Sequence, residues 1–177
     1  ISALAITEPS GGSDVAALKT KAVRDGDDYI VSGEKTFITS GIRADYYSVA
    51  VRTDHDAKGA NGISMLLIDA HSEGITKSKL DKMGWWASDT AHLHFDNVRV
   101  PAKNLLGAEN MGFFVIMNNF NMERFFLAAS SYGYALVCYE EALDWAQQRQ
   151  TFGKRLIDHQ VVRHKFVDMA TRLNSTR

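Results

Sequence analysis

Met111-Gly112-Phe113-Phe114-Val115-Ile116-Met117-Asn118-Asn119-Phe120-Asn121-Met122-Glu123-Arg124-Phe125-Phe126-Leu127 is the stretch on which the architecture turns. Apolar residues occupy most sides of its helical wheel, and from Met111 to Tyr139 only Glu123 and Arg124 carry charge. Such a helix is expected to lie buried within a larger protein. Burial raises the pKa of a lone carboxyl, and a desolvated carboxylate beside an apolar cavity can take a proton from carbon. Glu123 is therefore a candidate general base. The plainer alternative is a structural ion pair with Arg124, although neighbours in sequence diverge by about 100° around a helix and do not face each other.

Working outward, the composition changes on either side of Pro101. Before it, short alternating runs rich in Val, Ile, Thr and Tyr are separated by Gly and Asp turns, which is β patterning. Strands are expected at Ala3 to Thr7, Leu18 to Arg24, Tyr29 to Thr39, Tyr46 to Arg52, Gly62 to Asp69, Ile75 to Leu80 and Ala91 to Val100. Asp25-Gly26-Asp27-Asp28 reads as a hairpin turn, because Gly accepts the positive φ that tight turns demand. Beyond Pro101 helix formers dominate, giving helices from about Met111 to Gln148 and from about Asp158 onward, with Thr151-Phe152-Gly153-Lys154 as the loop between them. The expected fold class is α+β: an antiparallel β-barrel or sandwich domain over residues 1–104, then the start of a helical domain over 105–177. The chain opens on a strand-like run without Met and stops inside a helical pattern, so it reads as a piece of a longer enzyme.

The chain has 177 residues, a formal net charge of -1 and 45% hydrophobic residues, which suits a globular, intracellular protein with a sizeable core. Charges are interspersed, which argues against nucleic acid or an anionic membrane as partner, and no apolar run suffices to span a bilayer. Cys138 is the only cysteine, so no intrachain disulfide can form. Its place in the apolar helix implies a buried thiol.

Several shorter stretches carry possible chemistry. Thr7-Glu8-Pro9-Ser10-Gly11-Gly12-Ser13-Asp14 leaves a strand for a Gly-rich turn, where backbone N–H groups and hydroxyls could cradle a polar cofactor; an ordinary surface loop is the alternative. Phe37 and Thr39 stand two residues apart on one strand face, an arrangement able to flank a flat heterocycle or to sit at a sandwich core. His92 and His94 share a face too, but no third ligand of comparable quality lies nearby in sequence, so a metal site is not expected. Trp85 and Trp86 should point one inward and one outward, as core and interface packing. Asn174-Ser175-Thr176 matches a glycosylation sequon by chance.

Taken in order, these pieces resemble the acyl-CoA dehydrogenase family. The family's Thr-Glu-Pro-x-x-Gly-Ser-Asp loop stands at Thr7 to Asp14, and its Gly-x-Lys-x-aromatic-Ile-Thr segment at Gly33 to Thr39. Its Val-x-Val-Pro, Arg-x-x-Phe-Gly and His-Gln motifs follow at Val98 to Pro101, Arg149 to Gly153 and His159-Gln160. The resemblance implies a flavoenzyme with FAD as cofactor, a middle β domain and a C-terminal four-helix bundle, of which this chain would hold the first helices. By that likeness Ile6 and Thr7 would touch the flavin pyrimidine side. Gly12 and Ser13 would line the cleft, with Ser13 bonding the CoA-bearing part of the substrate. Phe37, Ile38 and Thr39 would flank the ring, although many relatives have Trp where this chain has Phe37. Arg149, Thr151, Phe152 and Gln160 would reach the FAD of a neighbouring subunit, implying a homo-oligomer, a dimer or tetramer. Asn121, Met122 and Arg124 resemble the acyl-CoA segment.

In most branches the base comes from near the C-terminus, but in the isovaleryl-CoA and long-chain branches it sits on this helix just before an Arg, as Glu123 does. The Leu105 to Phe113 lead-in also looks like the long-chain type. The implied reaction removes the α proton of an acyl-CoA thioester while the β hydride passes to flavin N5, giving a trans-2-enoyl-CoA. A flavin ribityl hydroxyl and a backbone N–H would hold the thioester oxygen, and an electron-transfer flavoprotein would reoxidise the cofactor. The resemblance places such an enzyme in fatty acid β-oxidation, in a bacterial cytoplasm or a mitochondrial matrix. The rival readings are an oxidase or monooxygenase on the same fold, or a non-catalytic fragment of the family. The 177 residues by themselves are expected to hold FAD weakly or not at all.

Overall fold

From Tyr29 to Val31 and again through Leu93, Phe95, Val98 and Val100, apolar side chains are buried while most of their neighbours face outward, the period of two that makes a strand with one face on a core. The computed structural model describes residues 1–177. Its first strands are β1 (Ser2–Ala5), β2 (Lys21–Asp25), β3 (Asp28–Thr39) and β4 (Tyr46–Arg52). Then come β5 (Ile63–Asp69), β6 (Ile75–Lys79), β7 (Thr90–Pro101) and β8 (Leu105–Leu106). The sheet order is β6-β7-β3-β2-β4-β5-β8, with β1 beside β4.

This sheet is open, with edges at β6 and β8, so of the two expected forms the closed barrel is not what forms; a sandwich is compatible with it. Tyr47 on β4 and Phe95 on β7 are separated by two strands in the sheet order, yet their rings meet edge to face at 6.4 Å. The sheet therefore curls across its own inner face to enclose Val31, Val49, Leu66, Ile68 and Leu93. Nor is it wholly antiparallel: β1 runs parallel to β4, and Lys21 of β2 pairs in parallel with Arg52. The β2–β3 turn follows the expectation, with Gly26 at φ 60.

Arg52 closes one end of this unit. Its guanidinium donates to the backbone oxygens of Ala16 and Leu18 on one loop, and of Ala57, Gly59 and Asn61 on another. One side chain thus satisfies carbonyls that sequence-distant loops would otherwise leave to water.

The helix α1 (Gly112–Gln148) is 37 residues long, about 55 Å at the usual rise. Its start is fixed against β5. The Asn110 N–H donates to Ser64 Oγ at 2.8 Å, and Thr53 Oγ1 donates to Asn110 Oδ1 at 2.8 Å. A Cβ on Gly112 would lie 2.6 Å from the Ser64 carbonyl carbon, so glycine permits the approach. Two compact units result, Ile1–Asn118 and Asn119–Arg177.

In the second unit α1 is followed by a short hairpin of β9 (Gln150–Thr151) and β10 (Lys154–Arg155), then α2 (Gln160–Thr176). Tyr139 of α1 meets Phe166 of α2 edge to face at 5.8 Å, and Ala146 is buried. Along the middle of α1 the apolar side chains stand uncovered: Met122, Phe125, Phe126 and Leu127 are each 62–72% exposed. Cys138 is exposed as well, against the expected buried thiol, because α2 covers only part of the surface of α1. Trp85 and Trp86 also depart from expectation. The segment turns rather than extends, with Trp85 at φ 54, and both indoles face outward. No helix is long and apolar enough to cross a membrane.

Candidate functional site

Two segments of the first unit bring the expected flavin-side residues together. The chain leaving β1 passes through Ile6, Thr7 and Glu8, and the end of β3 lies beside it: the Thr36 N–H donates to the Thr7 carbonyl at 2.9 Å. Opposite β7, the pairing of β3 slips between Lys35 and Ile38, a bulge that lets Lys35 and Thr36 both turn inward. Phe37 then takes the left-handed conformation, φ 59, which costs a non-glycine residue about 1–2 kcal/mol. The result is an aromatic ring 69% exposed, with Ile38 buried beneath and Thr39 exposed next to it. Phe37 is accordingly not a core residue.

Gly12 curls back over Thr7. A Cβ there would sit 3.0 Å from Thr7 Cγ2 and 3.2 Å from its Oγ1, so the glycine leaves the hydroxyl uncrowded. Ser13 is exposed on the same loop.

Beneath these segments lies a pair to which sequence reading assigned no role. The Lys35 side chain is fully buried, and its Nζ donates to Glu8 Oε1 at 2.9 Å and to the Ile6 carbonyl at 3.0 Å. Glu8 also accepts the N–H groups of Lys19 at 2.7 Å and Thr20 at 2.8 Å. Burial works to raise the Glu8 carboxyl, but the Lys35 ammonium and the Thr20 bonds outweigh it and hold the group below its ordinary range. For Lys35 burial wins over the attraction of Glu8 and pulls the ammonium down to about 8. The one local hint was Lys35 itself, which falls on the inward phase of β3 opposite Leu93, where a charge needs a partner.

The sign of the Lys35 shift gives a test. Its folded-state pKa of about 8 lies below the ordinary 10.5, so between those values the unfolded chain binds the extra proton. The penalty of keeping Lys35 charged is full below pH 8 and is relieved as pH rises toward 10.5, so this group makes stability rise with pH across that window. Urea unfolding of wild type and Lys35→Met should show the difference moving in favour of wild type by on the order of a few kcal/mol. A difference that stays flat with pH would mean that Lys35 does not change its protonation there.

The second unit carries the remaining candidates. Glu123 lies in a hollow lined otherwise by Met122, Phe126 and Leu127, making it the only ionisable group there. Its carboxylate is exposed in these 177 residues and accepts a 2.6 Å bond from Asn119 Nδ2 one turn earlier. Arg124 makes no pair with Glu123; it stacks over the Phe120 ring at 5.6 Å and reaches Asn121 Oδ1 at 3.5 Å. Met122 is 70% exposed.

At the far end of α1 the β9–β10 hairpin turns through Phe152 and Gly153, both at positive φ, and holds the Phe152 ring 97% exposed. The one aromatic neighbour of that ring is His159, at 6.2 Å, whose Nε2 lies 3.1 Å from Thr151 Oγ1 and 3.2 Å from the Thr151 carbonyl. His159 thus braces the hairpin that presents Thr151 and Phe152, a part that the His-Gln motif did not reveal. Arg149 and Gln160 flank it, both exposed.

An open sheet with a bulged, hydroxyl-bearing inner strand, followed by a long helix with one acid among apolar side chains, defines an α+β chain of two units. The family model described as acyl-CoA dehydrogenase, middle domain, matches residues 3–98, and that described as acyl-CoA dehydrogenase, C-terminal domain, matches residues 110–177. Cyclohexane-1-carbonyl-CoA dehydrogenase of Geobacter metallireducens is 40% identical over 100% of this chain and 46% of its own length. The mitochondrial long-chain specific acyl-CoA dehydrogenase of Mus musculus is 40% identical over 100% of this chain and 42% of its own. The crystal structure of a probable acyl CoA dehydrogenase from Mycobacterium abscessus superposes with a TM-score of 0.94 at 51% identity, covering 99% of this chain and 46% of that one. The chain belongs to the acyl-CoA dehydrogenase family, and it spans less than half the length of these relatives.

FAD is the cofactor of this family. The residues fit such a group: an exposed ring at Phe37, hydroxyls at Thr7 and Thr39, and a glycine that keeps Thr7 open form a donor set suited to a flat heterocycle with polar edges.

Proposed function

We propose that these residues serve the FAD-dependent α,β-dehydrogenation of an acyl-CoA thioester, with Glu123 as the base. The observation that carries the reading is the single carboxylate in the hollow of Met122, Phe126 and Leu127. An acyl chain laid along those side chains would exclude water from Glu123, and a carboxylate stripped of water takes a weakly acidic α proton more readily. The Asn119 bond fixes one oxygen of the carboxylate and leaves the other free to receive the proton.

Ile6, Thr7, Gly12, Phe37, Ile38 and Thr39 hold FAD in this reading, and the bound cofactor supplies the acceptor for the β hydride. Ser13 binds the CoA-bearing part of the substrate, and Asn121, Met122 and Arg124 bind nearer the acyl group. The exposed Phe152, with Arg149, Thr151 and Gln160, serves the cofactor of a second copy, which makes the working form a homo-oligomer, dimer or tetramer. An electron-transfer flavoprotein is the expected electron acceptor, and a bacterial cytoplasm or mitochondrial matrix the expected compartment.

Anaerobic mixing of the full polypeptide that carries these residues with a panel of saturated acyl-CoAs tests the reading. Flavin bleaching with release of a trans-2-enoyl-CoA is expected. A flavin that stays oxidised with every member of the panel would refute it.

A further inference from the structure

Neutral side chains of similar volume would hold a protein core together at least as well as a buried ion pair, because removing two charges from water costs several kcal/mol per ion. Glu8 and Lys35 are nonetheless buried together, at 4% and 0% side-chain exposure. What a charged pair supplies that an apolar pair does not is direction. Lys35 Nζ aims at Ile6 and Glu8 on one segment, while its backbone belongs to the bulge that ends in Phe37. Glu8 in turn is fixed by two backbone N–H groups of Lys19 and Thr20. The chain around Ile6 and Thr7 lies beyond the last residue of β1, whose own ladder is with β4 and not with β3. Lys35, together with the Thr36 to Thr7 bond, is what ties that segment to the end of β3.

We propose that the Glu8–Lys35 pair is a positioning device, setting the Ile6–Thr7 segment and the Thr36–Thr39 bulge in mutual register so that their exposed groups match the edges of the flavin ring. The proposal rests on the flavin reading above. Neither residue touches the cofactor in this scheme. Both act through the backbone: Lys35 fixes where the Ile6 carbonyl lies, and the bulge that follows it in β3 turns Phe37 outward in its left-handed conformation. Neutralising the pair should therefore loosen the register without emptying the core.

The test uses the full polypeptide in three forms, wild type, Lys35→Met and the doubly neutral Glu8→Gln/Lys35→Met. Three properties are followed: thermal melting without cofactor, FAD affinity by fluorescence titration, and the visible absorption of bound flavin. The double variant is expected to melt within a few degrees of wild type while binding FAD at least about tenfold more weakly, with a displaced absorption band. Lys35→Met leaves Glu8 charged without its partner and should show the same loss of affinity with a lower melting temperature. Wild-type affinity and spectrum in the double variant would overturn the proposal, and so would its failure to fold, since the pair would then be structural only. A wild type that takes up no FAD would instead bring down the flavin reading, and this proposal with it.

Discussion

Glu123→Gln should slow the bleaching of bound flavin by saturated acyl-CoA by about 100 to 10,000-fold, the range that a positioned base contributes. Gln keeps the size of Glu and can still accept the Asn119 bond through its carbonyl, so the hollow of Met122, Phe126 and Leu127 is preserved. What it lacks is the capacity to take a proton. Substrate binding should survive, visible as a perturbed flavin spectrum on mixing with acyl-CoA, while the anaerobic stopped-flow rate collapses. Equal bleaching rates in both forms would place the base on a carboxylate beyond Arg177 and leave this helix as a wall of the site.

The largest loss of stability is expected at Phe95→Ala, about 3–5 kcal/mol. Phe95 is 1% exposed, and its ring is the one that bridges from β7 to Tyr47 on β4. Truncation leaves a cavity where the sheet folds over itself, and the strands on either side cannot close it without breaking their ladders. Urea denaturation followed by far-ultraviolet circular dichroism measures the change. A cost below about 1 kcal/mol would show that the inner face collapses easily at that point.

Why so much of the β unit could be read from sequence follows from its alternation. Alternation is clear at Tyr47, Val49 and Val51, at Ala91, Leu93 and Phe95, and at Val98 and Val100, and with the β-rich run from Tyr29 to Thr39 it gives the strands β4, β7 and β3 almost their observed ranges. Pairing was harder. Nothing local specifies that β1 lies parallel to β4, nor that two residues at Leu105–Leu106 add an eighth strand beside β5. Trp85 and Trp86 lie in a turn, where successive side chains need not alternate as they do along a strand.

The candidate site divides in a similar way. Glu123 stands out in the sequence because a charge interrupts a long apolar run, and helical periodicity says which face is apolar but not what covers it. Phe37 and Thr39 are both exposed, yet the bulge that places them there directly follows Lys35, whose partner Glu8 lies 27 positions away. Contacts between segments so far apart carry no periodic signal, which is why the pair beneath the site went unread while the loop above it did not.

The longest ladder in the sheet also has a consequence in time. β3 pairs with β7, Asp28 opposite Pro101 and Thr39 opposite Thr90, so most of the first unit lies within the loop that this pairing closes. Contacts of such sequence separation must meet the loop-closure entropy before they return any stability, and folds dominated by them form in milliseconds to seconds rather than microseconds. During synthesis β3 emerges before β7 with β2 on one edge and its other edge unpaired, and the apolar beginning of α1 follows β7 closely. The nascent chain thus passes through an interval in which an unpaired strand edge and a greasy helix are both on show, and it is in this interval that chaperone binding competes with aggregation.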